Sequence, residues 1–302
     1  MLGARRRVLC LLLLGLARSS ALGQATPSGV DSIVAKLSCS SFDWEPWEGV
    51  SDKGAIKVPI TFGGRQYWFQ LDTGADVTSV YGKPDPALSW REGQNSVRVT
   101  DVALGGMKWS ARRFLVLPDM KPGATSGTVG LDVMMGNVAV IDYPGKRFCL
   151  VPHVDAPSEL WTKSRGVKAV IRDGKFFVEA QLNSRALDGL FFDTGSSALA
   201  LSVDFEEWKA ITGLTGENQA AQKVAGFAWG KPMTFIGGES SGDLLIGSLN
   251  LGRQLAFYRS EPLDFFKQFP FHAIGNIGNV PFFDKVVIMD LGPHATFRIL
   301  RY

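Results

Sequence analysis

The triplet Asp-Thr-Gly occurs twice in this chain, at Asp72-Thr73-Gly74 and at Asp193-Thr194-Gly195. Each copy ends an apolar run, Tyr67-Trp68-Phe69-Gln70-Leu71 in the first case and Leu190-Phe191-Phe192 in the second. A single triplet of this kind is ordinarily a loop in which Asp caps and Gly turns. Two copies constrain the fold because their flanking sequence repeats with them.

Ahead of the first triplet, Ile56 to Phe62 alternates apolar and polar residues, Gly63-Gly64 follows, and a second strand leads into Asp72. Ahead of the second, Phe177 to Leu182, Asn183-Ser184 and the run into Asp193 read the same way. Each set predicts a β-hairpin. Downstream, Leu104-Gly105-Gly106-Met107 before Phe114-Leu115-Val116 matches Ile246-Gly247-Ser248-Leu249 before Leu255-Ala256-Phe257. A third match pairs Val129-Gly130 with Ile277-Gly278. Twelve residues beyond each glycine stands an aspartate that ends an apolar strand, Asp142 and Asp290. Three matched blocks in one order predict a duplicated, mainly β fold of two pseudo-symmetric, barrel-like lobes with a few short helices. The expected divisions are an N-terminal lobe over 24–152, a polar linker over 153–165 that holds Pro157, and a C-terminal lobe over 166–302. The second half is longer between its triplet and its glycine, and the apolar spacing of Val203 to Ile211 predicts a short amphipathic helix there.

A duplicated fold would bring Asp72 and Asp193 together. Two adjoining carboxyl groups cannot both ionise easily, so one keeps a proton while the other acts as a base. Hydrolysis of a peptide by water alone needs that combination: a base to take a proton from water and an acid to polarise the amide. Gly74 and Gly195 would allow a close backbone approach, and the Thr73 and Thr194 hydroxyls could bond across the pseudo-twofold axis and hold the loops rigid.

These residues resemble the pepsin and retroviral aspartic peptidases, in which paired Asp-Thr-Gly loops are each followed by a hydrophobic-hydrophobic-Gly element. The resemblance spans roughly 54–302. It implies catalytic Asp72 and Asp193, supported by Thr73, Gly74, Thr194, Gly195 and Ser196, with Gly130 and Gly278 under the two loops. Asp72-Thr73-Gly74-Ala75-Asp76 is similar to the retroviral motif, which implies a substrate-backbone role for Asp76; a structural ion pair is the alternative. Asp193-Thr194-Gly195-Ser196-Ser197 is similar to the pepsin motif, which implies a hydrogen bond from Ser196 to Asp193. Ala75 has no hydroxyl to offer Asp72, so the expected ionised partner is Asp193 and the expected protonated one Asp72. Two features depart from the family. The stretch 84–97, with Trp90 as its one aromatic residue, is the only candidate left for the family's mobile flap. No long basic prosegment is present, and the region 24–53, with Trp44 and Trp47, reads as an extra strand and cover.

The remaining sequence narrows the setting. Arg5-Arg6-Arg7, the apolar run from Val8 to Leu14, and small residues at Ala21 and Gly23 predict a signal segment over 1–23 and export to a periplasmic or extracellular space. No later run is long enough to span a membrane. The net charge of +3 on 302 residues, without a Lys/Arg cluster, argues against nucleic acid. The expected partner is a peptide or protein substrate, and a monomer is expected. No cofactor is called for. With His153, His272 and His294 as the only histidines, a His/Cys metal site or a Cys-His dyad is not expected either. Cys39 and Cys149 could form a disulfide outside the cytosol or remain separate buried thiols. Gly238-Glu239-Ser240-Ser241-Gly242 matches a serine-hydrolase elbow, a distant third reading that requires a helix after Ser240. The nearer rival is a two-lobed peptide-binding protein that keeps the fold without turnover.

Overall fold

A computed structural model describes residues 29–85, 88, 90–228 and 231–301; the expected signal segment lies outside them. The chain is mainly β, with short helices at Gly29–Val34, Glu159–Thr162 and Phe205–Thr212. Among the described residues no helix is long and apolar enough to cross a membrane.

The apolar runs that end at Asp142 and Asp290 lie at the centre. Strands Asn137–Asp142 and Lys285–Asp290 pair antiparallel with Val140 opposite Ile288, and each of those residues stands ten places beyond its matched glycine. The repeat therefore meets itself in register. Side chains alternate across a strand, so Val138, Val140, Val286 and Ile288 face one way, under helix Gly29–Val34 and Leu160. Ala139, Ile141, Val287 and Met289 face the main core. Burial on both faces explains why these strands read as uninterrupted apolar runs rather than alternating ones.

Around this pair the two halves repeat the same pairings. In the first half Leu71 pairs parallel with Val129, Ser79 antiparallel with Thr128, and Ser79 parallel with Leu115. In the second, Phe192 pairs parallel with Ile277, Ser202 antiparallel with Asn276, and Leu201 parallel with Ala256. The first-half strands form a seven-stranded sheet in which a Thr61–Ala103 pairing joins Ser51–Phe62 to Ser96–Leu104. The central strands and most of the second half form a thirteen-stranded sheet, and a four-stranded sheet packs beside it.

The first predicted hairpin is present as Ser51–Phe62 and Arg65–Leu71. Its counterpart is present with an irregularity in the middle: Phe177 pairs antiparallel with Phe191, and Gln181 and Leu182 pair with Ala186 and Arg185 across the Asn183-Ser184 turn. Beyond Val178 this hairpin leaves the large sheet, and Gln181–Leu182 also pairs with Leu244–Ile246. The expected helix forms over Phe205–Thr212, with Asp204 at its N-cap and Gly213 in the left-handed conformation at its C-cap. It buries Trp208 and Ile211, the apolar stripe that predicted it. The expected linker carries the single helical turn Glu159–Thr162, which buries Leu160.

Cys39 and Cys149 face each other in register on neighbouring strands and are disulfide-bonded across 110 residues of sequence. The bond removes freedom from a long loop of the unfolded chain. Replacing both cysteines with alanine should therefore lower the unfolding free energy by about 2–5 kcal/mol, read as an earlier midpoint in urea.

Candidate active site

Asp72 and Asp193 each sit one residue beyond the parallel strand pair of their half. The N–H of Asp72 donates to the carbonyl of Val129 at 3.0 Å, and that of Asp193 to the carbonyl of Ile277 at 2.9 Å. The chain then turns sharply. The N–H of Gly74 donates to Asp72 Oδ1 at 2.9 Å, and the N–H of Gly195 donates to Asp193 Oδ1 at 2.9 Å. A methyl group on Gly74 would lie 2.6 Å from Asp193 Oδ1, and one on Gly195 would lie 2.6 Å from Asp72 Oδ1. Each loop's glycine thus lets the other loop's carboxyl approach, and the two acids face each other.

Below them the two threonines are fully buried and cross-linked. Thr73 N–H donates to Thr194 Oγ1 at 2.9 Å, and Thr194 N–H donates to Thr73 Oγ1 at 3.0 Å. The hydroxyls donate onward, Thr73 to the carbonyl of Phe192 and Thr194 to the carbonyl of Leu71, both at 2.8 Å. Every donor in this square has an acceptor, so the loops are held without an unpaired buried group. The matched glycines lie beneath. A methyl on Gly130 would fall 2.6 Å from the Val77 carbonyl carbon, and one on Gly278 would overlap the carbonyl oxygens of Ser196 and Leu199.

The two carboxyl groups differ in their surroundings. Asp193 Oδ2 accepts the Ser196 hydroxyl at 3.0 Å and the Asn276 side-chain N–H at 2.6 Å, besides the Gly195 N–H on Oδ1. The backbone N–H groups that serve Asp72 are those of Gly74 and Ala75. Burial, then the Asp193 charge and a hydrogen bond to Asp193, hold the Asp72 carboxyl well above the usual carboxylate range. A proton on the pair therefore rests on Asp72, while Asp193 has the larger set of hydrogen-bond donors.

Asn276 has no sequence-level prediction behind it. It stands two residues before Gly278, as Thr128 stands two before Gly130. Thr128 is hydrogen-bonded to Tyr81. Extending the third matched block by one residue would have exposed this pair as polar side chains inside buried strands.

The carboxyl pair opens into a cleft of about 1520 Å3. Asp76 lines it, and its carboxylate is ion-paired with Lys175 from the other half. The stretch 84–97 contributes none of its described residues to the cleft wall; Trp90 instead donates to the carbonyl of Gln94 and packs on the core. Cover comes from Trp47, which lines the cleft, lies against the backbone at Gly226 and meets the Phe235 ring edge-on at 5.9 Å. Ser240 is buried; its hydroxyl donates to the carbonyl of Gly242 and accepts the N–H of Gln254. Strand Leu244–Ile246 follows it, where a nucleophile elbow needs a helix.

A scan against protein-family models finds no match for this chain, and a search of curated proteins finds no relative.

Proposed function

We propose that the protein is an aspartic endopeptidase of two pseudo-symmetric lobes, in which Asp72 and Asp193 activate a water for attack on a peptide bond. One observation carries this reading. Two carboxyl groups from equivalent loops face each other at a cleft, one of them held protonated by burial and by its neighbour. In this mechanism Asp193 takes a proton from the water as the oxygen attacks the carbonyl carbon. Asp72 gives its proton to the carbonyl oxygen, and the pair then returns a proton to the leaving nitrogen.

The cleft also suits an extended peptide. Strands Asp43–Trp47 and Gln222–Ala228 end the seven- and thirteen-stranded sheets, and Glu45 to Trp47, Ala225 and Gly226 line the cleft. Edge strands offer backbone N–H and C=O groups to a third strand. Export and the absence of a cofactor belong to the same proposal. The resemblance to pepsin and retroviral peptidases rests on the triplets and their setting.

The test is cleavage of a mixed peptide library between pH 3 and 8 by the mature chain, beside Asp72→Asn and Asp193→Asn. Cleavage lost in both variants supports the reading. Cleavage kept in either overturns it, and binding without cleavage by the wild type would favour the silent peptide-binding alternative. A finer consequence concerns pH. Ser196→Ala and Asn276→Ala each remove a donor from Asp193, so the acidic limb of the pH–rate profile should move to higher pH in both. The basic limb should move less. An unmoved acidic limb in both variants would reverse the assignment of base and acid.

A further inference from the structure

The second-half wall of the cleft carries polar groups that the proposed water activation does not use. Strand pairing sets Asn276 beside Ser202 and Ser202 beside Phe257. Paired residues share a face, and residues two apart on a strand return to it. Asn276, Ser202, Phe257 and Arg259 therefore stand on one face, and Asn276, Ser202 and Arg259 line the cleft. Ser202 Oγ and Asn276 Oδ1 are buried, in residues only 2% and 4% exposed, and neither atom has a hydrogen-bond partner among the described residues. Such atoms are rare in folded proteins and call for a ligand or a water.

Arg259 adds a cation to this wall. Its guanidinium lies 3.5 Å from the centre of the Phe265 ring, an arrangement that fixes the plane of the fork. Burial lowers its pKa to about 10, opposed by the charges of Asp193 and Asp204. Those two carboxylates are also held by other donors: Asp204 by the N–H groups of Phe266 and Lys267, and Asp193 by Gly195, Ser196 and Asn276.

We infer that Arg259, Ser202 and Asn276 form a specificity pocket beside Asp193 that receives a carboxylate of the peptide substrate. The guanidinium and the Ser202 hydroxyl donate to the carboxylate, and Asn276 Oδ1 accepts an N–H from the adjoining peptide. The carboxylate is that of a Glu or Asp side chain or of the peptide's C-terminus. This inference deepens the peptidase proposal and rests on it for the cleavage arm of its test alone.

The test uses peptide sets that carry Glu or Gln at each position in turn, with the C-terminus amidated or free. The wild type should cleave one Glu position, or the free-acid set, about tenfold or more over its neutral counterpart in kcat/KM. Discrimination at an internal Glu assigns the pocket to a side chain, and discrimination by the free terminus assigns it to the C-terminus. Arg259→Met should bring that ratio near one, and Arg259→Lys should restore part of it. Ser202→Ala deletes one donor and one unpaired buried atom, so it should lower the ratio without lowering the melting temperature. It serves as the test if Arg259→Met does not fold. The same peptides are titrated by fluorescence anisotropy against Asp72→Asn. If the wild type cleaves nothing but this variant still prefers the acidic peptide, the peptidase reading falls and the pocket stands. Cleavage with no acidic preference, or a preference that survives both Arg259→Met and Ser202→Ala, overturns the pocket and leaves the peptidase reading intact.

Discussion

Under the proposed peptidase mechanism, Asp72→Asn is expected to lose about 10²–10⁴-fold in peptide cleavage and, at neutral pH, to melt at a higher temperature than the wild type. The loss follows from the shared proton. Asparagine keeps the shape and the hydrogen bond to the Gly74 N–H, but it cannot give a proton to the carbonyl oxygen of the substrate. Asp193→Asn should lose as much, because the base is then missing.

The gain in stability follows from the raised pKa. In the unfolded chain Asp72 ionises near its ordinary value of 3.8; in the folded chain burial and Asp193 hold it well above that value. Between those two values the folded state binds the extra proton, so stability falls as pH rises through the window and stays low above it. The neutral asparagine has no such window. The stability advantage of Asp72→Asn should therefore be small near pH 3 and reach its full size above the raised pKa. Thermal melts of both proteins at pH 3, 5 and 7 read this directly. An advantage that shrinks as pH rises would contradict the assignment of the proton to Asp72.

Much of this arrangement can be read from the sequence because its positions tolerate few alternatives. Gly74 and Gly195 face a carboxyl, and Gly130 and Gly278 face backbone, so the residue type reports the geometry. The apolar runs before Asp142 and Asp290 report a strand pair buried on both sides. Other parts leave no such mark. Nothing in the spacing of Glu179 and Ala180 signals that the second hairpin leaves the large sheet there, where its tip takes Leu244–Ile246 as a further partner. Asp76 and Lys175 meet because a loop of the first half converges on a strand end of the second, and Trp47 reaches Gly226 because edge strands of two different sheets converge. An asparagine within a strand has no pattern of its own, so Asn276 becomes visible only when the halves are compared residue by residue. The cysteines left two possibilities open that only strand register could separate.

Thr73→Val and Thr194→Val should each destabilise the chain by about 2–6 kcal/mol, and together by less than the sum. Valine matches threonine in shape, so neither change opens a cavity, and the cost is that of the hydrogen bonds. Thr73→Val strands the Thr194 N–H and the Phe192 carbonyl; Thr194→Val strands the Thr73 N–H and the Leu71 carbonyl. Each stranded buried group costs about 1–3 kcal/mol. The four bonds form one network, so the second substitution acts on loops already loosened by the first. Urea unfolding of the two single variants and the double variant measures the coupling. Thr→Ser at either position keeps the hydroxyl and should recover most of the loss. Activity adds an independent readout. The two carboxyl groups are held opposite each other by these loops, so a displacement of 1 Å should cost on the order of 10²-fold in kcat. KM should change less, because the strands that line the cleft keep their own ladders. Strict additivity, with wild-type kcat in either valine variant, would mean that the crossed threonines do not position the acids.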